Sequence, residues 1–429
     1  MSVHHVVPAG DRATYLECRR SWDLSARERR NLEPALPASA LDVERAVREA
    51  LAVYYFPGMW DWQPGVVLPL VRKAFTDSVA AQRSAYLAAH GRTELAADEE
   101  RAAAERAELG LAMLDAYAGW APTVDEFAPI QVLAELDVQV PDPGRPGRDL
   151  AVGTRAVHYR DRADLLAMDD EHGYWLLEHR FVDGPFPELD ALVRDDRCLV
   201  WCWAWEHDNP GLRVQGTIYN ELRWGAAEVE PAPPGPRGTV AQNRTPGTWL
   251  GGAAPEYDLR VRFGDGFRRV QVPREAADVA ACGTRLAAQL AEMVDDATRV
   301  YPNPSAWRCG PCPFRAPCLA MDRGTDAEAL LGASYRVRDH AERPGTLGTR
   351  TWSLGRGAAF TIGDAKLRRS LLPDVVVAGG VLLQRPSCWK YHAAHPCSRI
   401  TAVPAAPAPT APGRSWSAPP GSGAPTPTA

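Results

Sequence analysis

The chain has 429 residues, 45% of them hydrophobic, enough to bury the cores of two or three ordinary domains. Its 48 basic and 54 acidic residues give a formal net charge of −6, so bulk charge gives no hint of nucleic-acid binding and leaves room only for a local basic groove. No apolar run approaches the ~18 residues of a membrane span and no secretory leader is legible; the expectation is a soluble, cytoplasmic protein, and nine cysteines, an odd number, fit a reducing compartment better than a disulfide framework.

Residues 11–30 read as a basic helix carrying Cys18 with Arg19, Arg20, Arg27, Arg29 and Arg30. Those arginines suit either a phosphate backbone or a solvated helix face. The stretch 40–56, ALDVERAVREALAVYYF, has apolar residues at helical spacing and is stopped by Pro57 and Gly58. Residues 69–90 and 93–120 predict two more helices, the second rich in Ala, Glu and Leu. Residues 1–129 thus form a helical N-terminal region.

After Pro129 the pattern turns to strands, expected at 131–140, 152–159, 162–168 and 173–180. The turn DDEHG would join the last two as a hairpin. One helix is expected over 188–206, with Trp201, Trp203 and Trp205 along it. Burial in the core is the stronger reading of those rings than base stacking. Strands follow at 212–220, 256–263 and 267–272, then a long helix over 274–295. A core of 130–322 would be followed by a small appendage, 323–400. The last 29 residues, 401–429, hold eight prolines and read as a disordered Pro/Ala-rich tail.

Two constellations carry chemistry. Cys309, Cys312 and Cys318 fall within YPNPSAWRCGPCPFRAPC, a knuckle that can set three thiolates around a soft metal, with Cys18 the best candidate for a fourth ligand. Asp164 and Glu178 would meet near one end of the expected hairpin. Strand alternation puts Glu178 and Arg180 on one face and His179 on the other. An acidic pair beside a cation can hold a divalent metal and stabilise a phosphoryl oxygen; spacing alone is equally met by surface carboxylates. The chain has no P-loop, no G-x-G-x-x-G after a strand, no G-x-S-x-G elbow and no H-x-x-x-H helix.

The order of these features, an early Cys in a basic helix, D…E-x-R on a hairpin, then C-x2-C-x5-C after a long helix, resembles the PD-(D/E)XK nuclease superfamily. The likeness is to its RecB-like branch with a C-terminal iron–sulfur cysteine cluster, as in CRISPR-associated exonucleases and AddB nuclease domains. YNELRW at 219–224 looks like the late core strand of that family. The resemblance implies an α/β restriction-endonuclease-like core with a mixed central sheet, a helical N-terminal region and a cysteine-ligated C-terminal knuckle. It implies a 4Fe–4S cluster on Cys18, Cys309, Cys312 and Cys318; zinc or plain buried thiols are the alternatives for these residues. It implies Mg²⁺ or Mn²⁺ on Asp164 and Glu178, with Arg180 at the position of the family's lysine. Arg48 stands near the place of its histidine and Arg197 near that of its glutamine. The function implied is a metal-dependent DNA nuclease in DNA repair or phage defence, acting on DNA with single-stranded character, with a protein partner in a DNA-processing complex. The alternatives are a catalytically impaired DNA-binding protein of the same fold and a zinc-stapled interaction module.

Overall fold

The computed structural model describes residues 4–60, 62–224, 241–242 and 259–338, together with the backbone of four short strands between 350 and 383. Most of the expected appendage and all of the tail, 401–429, lie outside the described residues. Among those described, no helix is long and apolar enough to cross a membrane.

A short strand β1 (His5–Pro8) leads into α1 (Ala9–Glu17) and α2 (Arg19–Ser25). These are two helices, where one was expected, because Cys18 is extended (φ −158°, ψ 109°) and breaks the ladder between them. After β2 (Leu32–Pro34) come α3 (Val43–Tyr54), α4 (Pro64–Ala89) and α5 (Ala97–Trp120). Asp42 starts α3 by accepting from Arg45 N, and the apolar face of this helix, Val47, Leu51 and Val53, is fully buried.

The central sheet is mixed. Its strands are β3 (Phe127–Gln139), β4 (Ala151–Val152), β5 (Arg155–Asp169), β6 (Tyr174–Val182), β7 (Val214–Arg223), β8 (Ala241–Gln242), β9 (Arg260–Gly264) and β10 (Phe267–Pro273), joined by β1. The order is β1-β5-β6-β7-β10-β9-β8, with β3 and β4 also on β5. β1–β5 and β6–β7 are parallel and the other pairs antiparallel. The mixed α/β architecture and the N-terminal helices are as the sequence implies. The two strands expected at 152–159 and 162–168 are one long strand, β5.

Helices cover both faces. α3, α4 and α5 pack on one, against Leu165, Leu177, Ile218 and Phe267. On the other, α6 (Leu189–Val193), α7 (Asp196–Asp208) and α8 (Ala276–Val294) pack against Leu166, Leu176, Val270 and Val272. Trp201 is fully buried there and Trp205 nearly so, as core rings, each stabilising by roughly 2–3 kcal/mol through burial. The chain continues through α9 (Ala306–Cys309), α10 (Arg315–Arg323) and α11 (Ala327–Ser334) to β11 (Tyr335–Val337), which pairs with β2.

One irregularity creates the site. β3 lines one edge of β5. Along the other edge, β1 pairs with Val157–Arg160 and β6 with Leu165–Met168. Residues 161–164 therefore have no strand partner on that edge. Beyond Leu177, β6 leaves β5 and stays with β7 to Val182. The two strands splay into a notch with Asp161 and Asp164 on one side and Glu178 on the other. At the same level Leu133, on β3, takes a left-handed backbone (φ 53°) between residues paired with Ala163 and Leu165. A branched residue adopts this conformation only where its surroundings force it.

Candidate metal centre

Glu178 and Arg180 point from β6 toward the layer of α7, and His179 points to the opposite layer, as strand alternation requires. The start of α7 completes the site. The helix expected over 188–206 breaks at Asp195, which caps α7 by accepting from Arg197 N (3.0 Å) and Cys198 N (3.3 Å). Glu178, Asp195 and Cys198 each place a ligand atom within 4.8 Å of the others, and among the described residues this is the group of three or more that could hold a metal ion. Two hard carboxylates could hold a mononuclear Mg²⁺ or Mn²⁺.

Two arginines flank the group. Arg180 donates to Glu178 (2.7 Å) and to Asp195, with its guanidinium 4.9 Å from the centre of the Tyr219 ring. Arg197 donates to Glu178 (3.3 Å) and, more loosely, to Asp161 (3.5 Å), and lies over Trp201. The Trp201 indole N–H fixes Asp161 from below. Burial pushes the Glu178 carboxyl above its usual range, against the pull of Arg180 and Arg197. Burial, reinforced by Glu178, raises the Cys198 thiol well above the ordinary value, so it carries its proton; its sulfur lies 3.7 Å from Glu178. Burial alone would lower the pKa of both arginines. The carboxylates outweigh it and hold both above the usual guanidinium value.

Asp164 lies beside the group, and its charge bears on Glu178. Its Oδ2 accepts from His179 N at 2.7 Å, replacing the β5 carbonyl that the splayed strand no longer offers. Arg162, whose pKa burial lowers, and Arg48, stacked on Phe181, add cations around it. Asp195, Cys198 and Asp161 were missed in the sequence. The signal for Asp195 was there: an Asp directly before an acidic first turn and an apolar run.

His179 is buried in a polar network behind the notch. Its Nδ1 accepts from Asn220 Nδ2 at 2.8 Å, and its ring stacks on Tyr55. Burial pushes its pKa down from 6.5 to about 4. Between those values the unfolded chain binds more protons, so stability rises with pH; it is fully present above about 6.5 and is lost as pH falls toward 4, by about 3 kcal/mol in all. Urea unfolding from pH 4 to 7 should show this slope, and His179→Asn should flatten it. An unchanged slope in the variant would refute the assignment.

The cysteine assignment is corrected. Cys18, Cys309, Cys312 and Cys318 are all free and partly exposed, and no three of their sulfurs lie within 4.8 Å of one another. Cys18 accepts from Asn303 N and Cys318 from Arg20, while Cys312 packs beside Leu24, Phe314 and Leu331. Closeness in sequence does not become a ligand set here: Cys309 ends α9, Cys318 lies on α10 and Cys312 falls between them. The 4Fe–4S cluster and the cysteine-ligated knuckle are therefore not supported. The basic helix is also spent internally: Arg19 pairs with Glu292, Arg20 with Asp322, Arg29 with Asp23 and Arg30 with Glu328, while Arg27 stands 3.9 Å from Glu28.

No protein-family model and no curated protein matches the chain. Among solved structures it is similar to one described as "Crystal structure of SSO0001", at 12% identity, with a TM-score of 0.25, over 65% of this chain and 84% of that one. A likeness at that score carries no argument. The resemblance to the PD-(D/E)XK superfamily and its RecB-like branch is therefore overturned. It rested on the order of motifs, and neither a matching family nor an assembled cysteine cluster stands behind it.

Proposed function

We propose that the chain is a divalent-cation-dependent hydrolase of phosphodiesters whose polymeric substrate is DNA. The observation that carries this reading is the largely buried group Glu178, Asp195 and Cys198 flanked by Arg180 and Arg197 at the notch. Glu178 and Asp195 would hold Mg²⁺ or Mn²⁺, which when bound would offset the negative charge developing on a phosphoryl oxygen. The arginines would supply the phosphate clamp. Arg197 is half exposed, and its planar fork matches two phosphate oxygens. Neither arginine serves as a base, because the proton is held too tightly. Asp164 would hold β6 in place through His179 N, and Asp161 would orient Arg197.

A second reading, a catalytically impaired DNA-binding protein, is favoured by one observation. Arg180 already pairs with both carboxylates that a metal would need. One assay separates the two. Labelled single- and double-stranded DNA is incubated with the protein and Mn²⁺, Mg²⁺ or EDTA. Cleavage that requires the cation is expected. Cleavage that persists in EDTA would sink the metal site, and binding without cleavage under any condition would select the second reading.

A further inference from the structure

The segment between α8 and α10, left without a role once the cysteine cluster is set aside, has a surface of its own. Trp307 is 70% exposed, the most exposed large apolar side chain among the described residues, and Tyr301 is 51% exposed. An exposed indole offers a large apolar face with a polar edge to a partner. Residues 297–321 hold three arginines, Arg299, Arg308 and Arg315, and no carboxylate or lysine. Arg299 and Arg315 are exposed, and neither guanidinium has an ion pair among the described residues.

The rings are held in place. The guanidinium of Arg308 lies 4.5 Å from the centre of the Trp307 ring, and its Nε has no hydrogen-bond partner. Arg19 sits between the rings of Tyr15 and Tyr301, and Arg20 N donates to Tyr301 O at 3.1 Å. Asn303 ties the loop to the end of α1 through Glu17 O. Of the bordering carboxylates, Glu292 and Asp322 are neutralised by Arg19 and Arg20, and Asp295 and Asp296 lie before the run. Exposed rings and arginines without ion pairs among the described residues, gathered in one segment, complement a strand with unstacked bases and a charged backbone.

We infer that this surface is a stacking platform for unpaired nucleobases, with Trp307 and Tyr301 receiving base faces and Arg299, Arg308 and Arg315 receiving phosphates. This rests on the reading of DNA as substrate and specifies its single-stranded form. The test is fluorescence anisotropy with fluorescein-labelled oligothymidine in EDTA, so that no cleavage intervenes. Hydrolysis of bis(p-nitrophenyl) phosphate with Mn²⁺ is followed in parallel. Trp307→Ala should weaken oligothymidine binding about tenfold, and Trp307→Phe should stay within about twofold of the wild type, because the ring face survives. Both should hydrolyse the small ester as the wild type does. If the ester is not cleaved but Trp307→Ala still loses affinity, the hydrolase reading fails and the platform stands. If oligothymidine is not bound, or is bound equally by Trp307→Ala, the platform is overturned. An altered sedimentation coefficient for Trp307→Ala with unchanged oligothymidine binding would overturn it in favour of a protein-docking face.

Discussion

Asp195→Asn should abolish Mn²⁺-dependent hydrolysis while leaving the protein folded. Asp195 does three things at once: it caps α7, pairs with Arg180 and offers an oxygen to the metal group. The asparagine carbonyl still caps the helix, so the fold is retained. It lacks the charge that draws a cation into a buried setting. Loss of an outer partner of a metal site commonly costs 10–100-fold, so loss of a direct ligand should cost at least about 100-fold in rate or cation affinity. Asp195→Ala should add about 1 kcal/mol of instability through the missing cap. Isothermal titration with Mn²⁺ and urea unfolding, run on both variants, separate the two effects. Hydrolysis by Asp195→Asn at the wild-type rate would remove Asp195 from the site.

The largest stability loss should come from Arg269→Met, far from any solvent. Arg269, on β10, is almost wholly buried and pairs with buried Asp125. It also donates to Tyr117 (2.9 Å), Tyr55 (3.0 Å) and Asn220 (3.2 Å), binding α3 and α5 to the sheet. Removing one member of a buried ion pair typically costs 3–5 kcal/mol, because the remaining charge loses its counterpart in a poorly solvated place. Replacing both, Arg269→Met with Asp125→Leu, should recover a large part of that loss. Urea midpoints of the two variants measure it. A single-variant loss below about 1 kcal/mol would mean that the pair contributes little beyond its surroundings.

Much of the architecture was legible from pattern. The helical spacing of α3 and α5 and the period-two run of β6 led to the right faces for Glu178, Arg180 and His179. What pattern did not reveal was where chains part. The splay of β5 from β6 is a change of partner, and a strand reads the same whichever neighbour it pairs with. Hence pattern divides β5 in two, and the contact of Asp164 with His179 N is not legible from it. The breaks at Cys18 and Asp195 fall inside runs that look continuously helical, and the second hid half of the candidate site. The cysteine motif failed for a related reason. Ligand spacing states what a metal would accept, and local packing, such as that of Cys312 against Leu24 and Phe314, decides where a sulfur goes.

The notch also bears on how such a molecule changes over time. Residues 161–164 sit on backbone that makes no ladder bonds on the open edge of β5, so side chains take over there: Asp164 accepts from His179 N and Asp161 from the Trp201 indole N–H. Each carboxylate is thereby tied to the scaffold as well as to the chemistry. Asp195 is bound in the same way, since the first turn of α7 depends on it. Among descendants of this chain, all three should therefore vary little, even where the chemistry of the notch is lost.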